Sequence, residues 1–101
     1  MTKTNLSQIF NSRNVLAFSI WVEAQIETTK NTIQYIDGLS PRKQKEYSET
    51  RWKNSKELKY YRSLLPEISN YDPDNLKKTE PGEGFLKWWE ERQLRLKRLS
   101  R

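Results

Sequence analysis

The 101-residue chain contains no histidine and no cysteine. The first absence removes the imidazole pH switch and every Ser-His-Asp or Cys-His relay. The second removes disulfides, zinc fingers and thiolate nucleophiles, and a reducing, cytoplasmic compartment is expected. Glycine is scarce, with three residues, and proline occurs four times. Long hydrophobic runs are missing as well. The densest apolar patch, Val15 to Val22, is well short of the ~18 residues a membrane span needs. It follows a polar stretch without the basic region and small-residue cleavage site of a secretion signal.

What remains is charged and aromatic. Hydrophobic residues make up 34% and charged residues 32%, and the mean hydropathy is −1.04. A single domain spanning 1–101 with a thin core is therefore expected. Twelve percent of the chain is aromatic, including four tryptophans, and each such ring can bury about 150–250 Å². The formal net charge is +6.

The breakers divide the chain into helical blocks. Between about 6 and 37, Val15, Phe18, Val22, Ile26, Thr29, Ile33 and Ile36 recur at three- and four-residue spacing, which predicts one helix. Leu6, Ile9, Leu16, Ile20 and Ala24 fall on its far side, so the first half is apolar nearly all round, as in a helix central to a bundle or covered by a partner. A strand over Val15–Val22 competes on β-propensity, but the stripe reaching Ile36 favours helix. Gly38 is placed as the residue after the helix. Ser40-Pro41 reads as an N-cap with proline at the first helical position, opening a second helix over about 41–65 that Pro66 stops or kinks. The short connection makes the two an antiparallel hairpin. Residues 66–84 read as turn and linker, with a cap-plus-proline signal at Asp72-Pro73 for one short helix over 73–78. Pro81-Gly82 is a joint before a last helix over about 85–99. The fold class is thus all-α: a small three- to four-helix bundle made of a long helical hairpin plus a C-terminal helix.

Charge is unevenly spread. In residues 1–40, Lys3, Arg13 and Lys30 are balanced by Glu23, Glu27 and Asp37. The excess lies in the second helix and in the cluster Arg92, Arg95, Lys97, Arg98 and Arg101. At 100° per residue, Tyr47, Leu58, Tyr61, Leu65 and Ile68 form the inner stripe of the second helix, with Arg51 and Asn54 in it. The opposite face gathers Arg42, Lys45, Glu49, Trp52, Lys53, Lys56, Lys59 and Tyr60. Lysines displace condensed counterions from a phosphate backbone, and aromatic faces stack on unpaired bases. Few arginines on this face imply backbone attraction without base-specific reading. The bland counterpart is a solvated lysine face with Trp52 leaning on a neighbouring helix.

In the last helix, Phe85, Trp88, Trp89, Leu96 and Leu99 share a face that Arg92 interrupts. An arginine beside two tryptophans can stack on indole and keep its fork free, and Trp, Tyr and Arg dominate protein–protein hot spots. Core packing is the bland counterpart here. Glu90 and Glu91 on the polar side argue against a membrane-surface helix. Glu23 and Glu27 lack the histidines of a helical di-iron motif, and Pro73 together with the missing glycine defeats a calcium loop at Asp72 and Asp74. No phosphate-cradling glycine motif and no nucleophile elbow occurs.

No enzyme activity, cofactor or metal is expected. The leading expectation is a small basic accessory subunit that binds an RNA or single-stranded DNA backbone within a larger nucleoprotein assembly. Arg42, Lys45, Lys53, Lys56 and Lys59 would be its phosphate contacts, Trp52 and Tyr60 its stacking platforms, and Arg92, Arg95 and Arg98 an extension. In size, charge and helicity the chain resembles the small helical subunits of ribonucleoprotein machines, CRISPR effector small subunits among them. The alternative is an adaptor, inhibitor or structural subunit without nucleic-acid binding, docking through the first helix (Trp21) and a face of Phe85, Trp88, Trp89 and Leu96.

Overall fold

The computed structural model describes residues 6–72, 74–76 and 79–99, and every regular element among them is a helix. The elements are α1 (Leu6–Ile9), α2 (Ser12–Asp37), α3 (Pro41–Glu46), α4 (Ser48–Ser63), α5 (Leu65–Ser69) and α6 (Glu83–Leu99). The protein is all-α, with three long helices and three short ones among the described residues.

Each boundary has a local cause. Where one helix over 6–37 is expected, the chain breaks at Phe10-Asn11. The Asn11 side chain accepts the Asn14 N–H at 2.9 Å, three residues on, which is N-cap geometry. The Asn14 amide in turn donates to the Ile9 carbonyl at 2.6 Å, tying off α1. The second expected helix, 41–65, is interrupted twice. Ser40 stands at the N-cap with Pro41 behind it, although its side chain makes no capping bond. Tyr47, at φ −99° and ψ 12°, separates α3 from α4. The stop near Pro66 comes earlier, at Leu64, and Pro66 sits instead in the first turn of α5, where its missing N–H costs nothing. Gly38 does follow α2, but without a positive φ. The short helix expected over 73–78 falls partly outside the described residues, and Asp74, Asn75 and Leu76 are not helical.

By packing, the chain forms two units, one of residues up to Ser19 together with those from Pro66 onward, the other of Ile20–Leu65. The first is an aromatic cluster. Phe85, with no exposed surface, meets Phe10 at 5.3 Å between ring centroids, Phe18 at 5.5 Å and Trp88 at 5.7 Å. Phe10 also packs edge-on against Tyr71 at 5.0 Å. The rings meet mostly edge to face, as their quadrupoles favour, and supply the apolar area that scarce aliphatics do not.

A carboxylate holds this unit's last helix in place. The first turn of α6 has no Ser, Thr, Asp or Asn before it to serve as a local cap. Glu67 of α5 reaches it instead, accepting the Gly84 N–H at 3.2 Å and the Phe85 N–H at 2.9 Å. A negative group on the unpaired amides of a helix N-terminus is favoured by hydrogen bonding and by the helix dipole. Tyr71 donates its hydroxyl proton to Glu67 Oε1 at 2.6 Å and accepts the Gly82 N–H at 3.1 Å. Burial, together with the bond to Glu67, raises the Tyr71 phenol well above its ordinary value of 10.0. A Cβ on Gly82 would overlap the Glu67 carboxylate, so this close approach requires glycine.

The second unit is an antiparallel hairpin. Trp21 packs edge-on against Tyr61 at 5.6 Å near one end, and Asp37 meets Arg51 near the other. Val22, Thr29, Ile36 and Leu64 are buried, while no residue of α4 is. Thr29 satisfies its hydroxyl within its own helix, on the carbonyls of Gln25 and Ile26 at 2.8 and 3.0 Å. Arg51, expected in the inner stripe of the second helix, stands exposed at its edge, and Tyr47 and Leu65 are exposed as well. The breaks at Tyr47 and Leu64 take Tyr47 and Leu65 out of the phase that a single wheel assumes, whereas Arg51 stays in phase within α4 and pairs with Asp37.

Candidate nucleic-acid interface

The outer side of α4 carries the residues singled out by periodicity. Trp52 is 57% exposed, Tyr60 is 38% exposed, and Lys53, Lys56 and Lys59 face solvent. Successive turns of one helix, at about 1.5 Å rise per residue, bring these side chains to one side, with the three lysines flanked along the helix by Trp52 and Tyr60. Lys56 places Nζ 3.9 Å from the centre of the Trp52 ring, a cation–π contact. Lys53 pairs loosely with Glu49 at 3.6 Å, one helical turn away, and both stay largely exposed. Such a pair is weak and gives way readily to a stronger anion. Tyr60 lies against Tyr61 at 5.6 Å.

Arg42 and Lys45 also face solvent, but on α3. Lys45 shares an open groove of about 550 Å³ with Asp37, Ser48, Arg51, Trp52 and Ser55. The groove has a fixed frame. Gln44 donates its amide protons to the carbonyls of Asp37 and Leu39 at 2.9 and 3.0 Å, holding α3 against the end of α2. Arg51 donates Nε–H to Asp37 Oδ1 at 2.7 Å and Nη2–H to Oδ2 at 3.3 Å. The hydrogen bond to Arg51 holds the Asp37 carboxyl below its ordinary 3.8, and the same bond raises the Arg51 guanidinium. Sequence spacing gave no sign of this pair, because its members lie fourteen residues apart across the hairpin.

In the first unit, every residue of α6 from Glu90 to Leu99 is exposed. Arg92 holds its guanidinium 5.4 and 5.9 Å from the Trp88 and Trp89 rings, and Arg95 and Arg98 follow at three-residue steps. The expected docking face divides. Phe85 and Trp88 (7% exposed) belong to the aromatic cluster and offer a partner almost no surface, because they lie on the side of α6 that meets Phe18. Trp21 and Trp89 are half-buried, and Leu96 is 48% exposed.

Among the described residues no group of acidic side chains comes together to hold a metal, and no helix is long and apolar enough to cross a membrane. Comparison with protein-family models, with curated proteins and with solved structures finds no match to this chain.

Proposed function

We propose that the protein binds the sugar–phosphate backbone of RNA or single-stranded DNA along the outer face of α3 and α4, as an accessory subunit of a larger nucleoprotein assembly. The observation that carries this reading is the composition of one exposed helix side: Trp52, Lys53, Lys56, Lys59 and Tyr60 stand on it with Glu49 as its acidic member. Cations at this density recruit a polyanion by counterion release, and the exposed rings offer stacking surface that a duplex, with its bases paired, does not use. An α4 with no buried residue is consistent with a helix kept for its outward surface.

A charge-reversal pair tests this. Lys53→Glu with Lys56→Glu is expected to weaken binding to a labelled oligouridine on the order of tenfold or more at low salt. Arg13→Glu with Lys30→Glu changes the net charge equally, on α2 and not on α3 or α4, and is expected to do far less. Equal losses in both variants would mean net charge alone drives binding and would remove the assignment to α4.

A second reading has its own observation. The exposed half of α6 presents Leu94 (55%), Leu96 and Leu99 (75%) among its arginines, a composition that suits docking on an acidic, partly apolar protein surface. In that case Leu96→Glu with Leu99→Glu abolishes complex formation, and the α4 reversal leaves it intact.

A further inference from the structure

The groove between α3 and α4 contains more than a backbone contact needs. Trp52, Lys45 and Arg51 all line it, and Arg51 is paired with Asp37. Trp52 lines the groove, whereas Lys56, whose ammonium lies 3.9 Å from the centre of the Trp52 ring, does not. Trp52, 57% exposed, thus offers indole surface to a flat ligand in the groove. Arg51 has five N–H donors, and Asp37 takes the Nε–H and one Nη2–H. Among the described residues nothing else bonds to the remaining three. The Asp37 carboxylate orients the planar fork, which distinguishes Arg51 from the unanchored lysines around it.

We infer that this groove takes one unpaired guanine, its ring on Trp52, its acceptor edge on the free donors of Arg51, and its phosphate near Lys45. The inference rests on the reading of α3 and α4 as a nucleic-acid surface and deepens it from backbone attraction to selection of a base. Arg51 offers donors only, so the base must present two adjacent acceptors. Guanine does so with O6 and N7, whereas adenine sets a donor beside N7 and uracil separates its carbonyls with an N–H. Cytosine also offers an adjacent acceptor pair once unpaired, but its single ring covers less of a two-ring indole than a purine does. Guanine satisfies both requirements.

The test uses the full chain and a labelled oligouridine, with the central position uridine, guanosine, cytidine, adenosine or abasic. The guanosine strand is expected to bind on the order of tenfold tighter than the uridine and abasic strands, the difference typical of one fork-shaped base contact. Arg51→Lys keeps the charge and can keep the Asp37 pair, yet lacks the fork, and it should bring the guanosine strand down to the uridine strand. Asp37→Asn, which frees the guanidinium, should reduce the same preference; far-UV circular dichroism checks that both variants fold. Equal binding of the guanosine and abasic strands overturns the inference while leaving backbone binding in place, as does tighter binding of cytidine. A uniform loss across all strands in Arg51→Lys, with a shallower salt slope, makes Arg51 a phosphate ligand and also overturns it. Absence of binding to every strand removes the proposed function and this inference together.

Discussion

Glu67 connects three parts of the chain through one carboxylate, with Gly84, Phe85 and Tyr71 as its donors. Glu67→Gln leaves a single acceptor oxygen for these three donors, and about 1–3 kcal/mol of stability should be lost, measured by urea unfolding. Gly82→Ala pushes a methyl into the same carboxylate and should cost a similar amount. Tyr71 adds a pH dependence of definite sign. Its phenol is raised above 10.0 in the folded chain, so the folded state favours the protonated form. That contribution is complete below the unfolded value and is lost as pH rises through and beyond 10. Urea midpoints should therefore fall between about pH 9 and pH 11 by more in the natural chain than in Tyr71→Phe, which has no phenolic proton to lose. An equal fall in both would show that other groups carry the alkaline transition.

At the scale of elements, α6 is half core and half surface. Phe85 packs against four other rings, and Phe85→Ala should cost about 3–5 kcal/mol, enough to unfold a domain with a core this thin. Leu96→Ala on the exposed half should stay within about 0.5 kcal/mol. Thermal unfolding of the two variants checks both values. The apolar stripe of α2 was readable from spacing alone, and Phe18, Val22, Thr29 and Ile36 are all buried as a helix of period 3.6 requires. The breaks were not read that way. Asn11 ends one helix and starts another through its own side chain, and Tyr47 departs from helical geometry with no proline or glycine to mark it. Periodicity averages over many residues and passes over a one-residue interruption, so α3 and α4 read as a single helix. Arg51 keeps its wheel position within α4, and its exposure comes with the Asp37 pair, which spacing does not show.

At the scale of the whole molecule, the sequence shows how much charge there is and which blocks carry it. Exposure and pairing then separate the cations by what they can do. Arg51 is engaged by Asp37, Lys53 is loosely paired, Lys56 covers an indole face, and Arg42, Lys45 and Lys59 face solvent. The outer face of α4 was legible because it lies on one uninterrupted helix, where wheel angles hold. The groove beside it was not, since it depends on residues from the end of α2, from α3 and from α4 that only folding brings together. Glu67 escaped notice for the same reason, acting on amides seventeen and eighteen residues further along. The aromatic stripe of the last helix was legible as a stripe, but spacing could not divide it into the buried Phe85 and Trp88 and the exposed Leu96.

The central claim, a phosphate-binding face on α3 and α4, is tested most directly by the affinity for a labelled single strand across a salt series. Five cations on that face, Arg42, Lys45, Lys53, Lys56 and Lys59, would each release about 0.7 counterion from a single strand. The logarithm of the association constant should then fall against the logarithm of salt concentration with a slope of about −3 to −4. Binding that is absent at low salt, or a slope near zero, would contradict the claim.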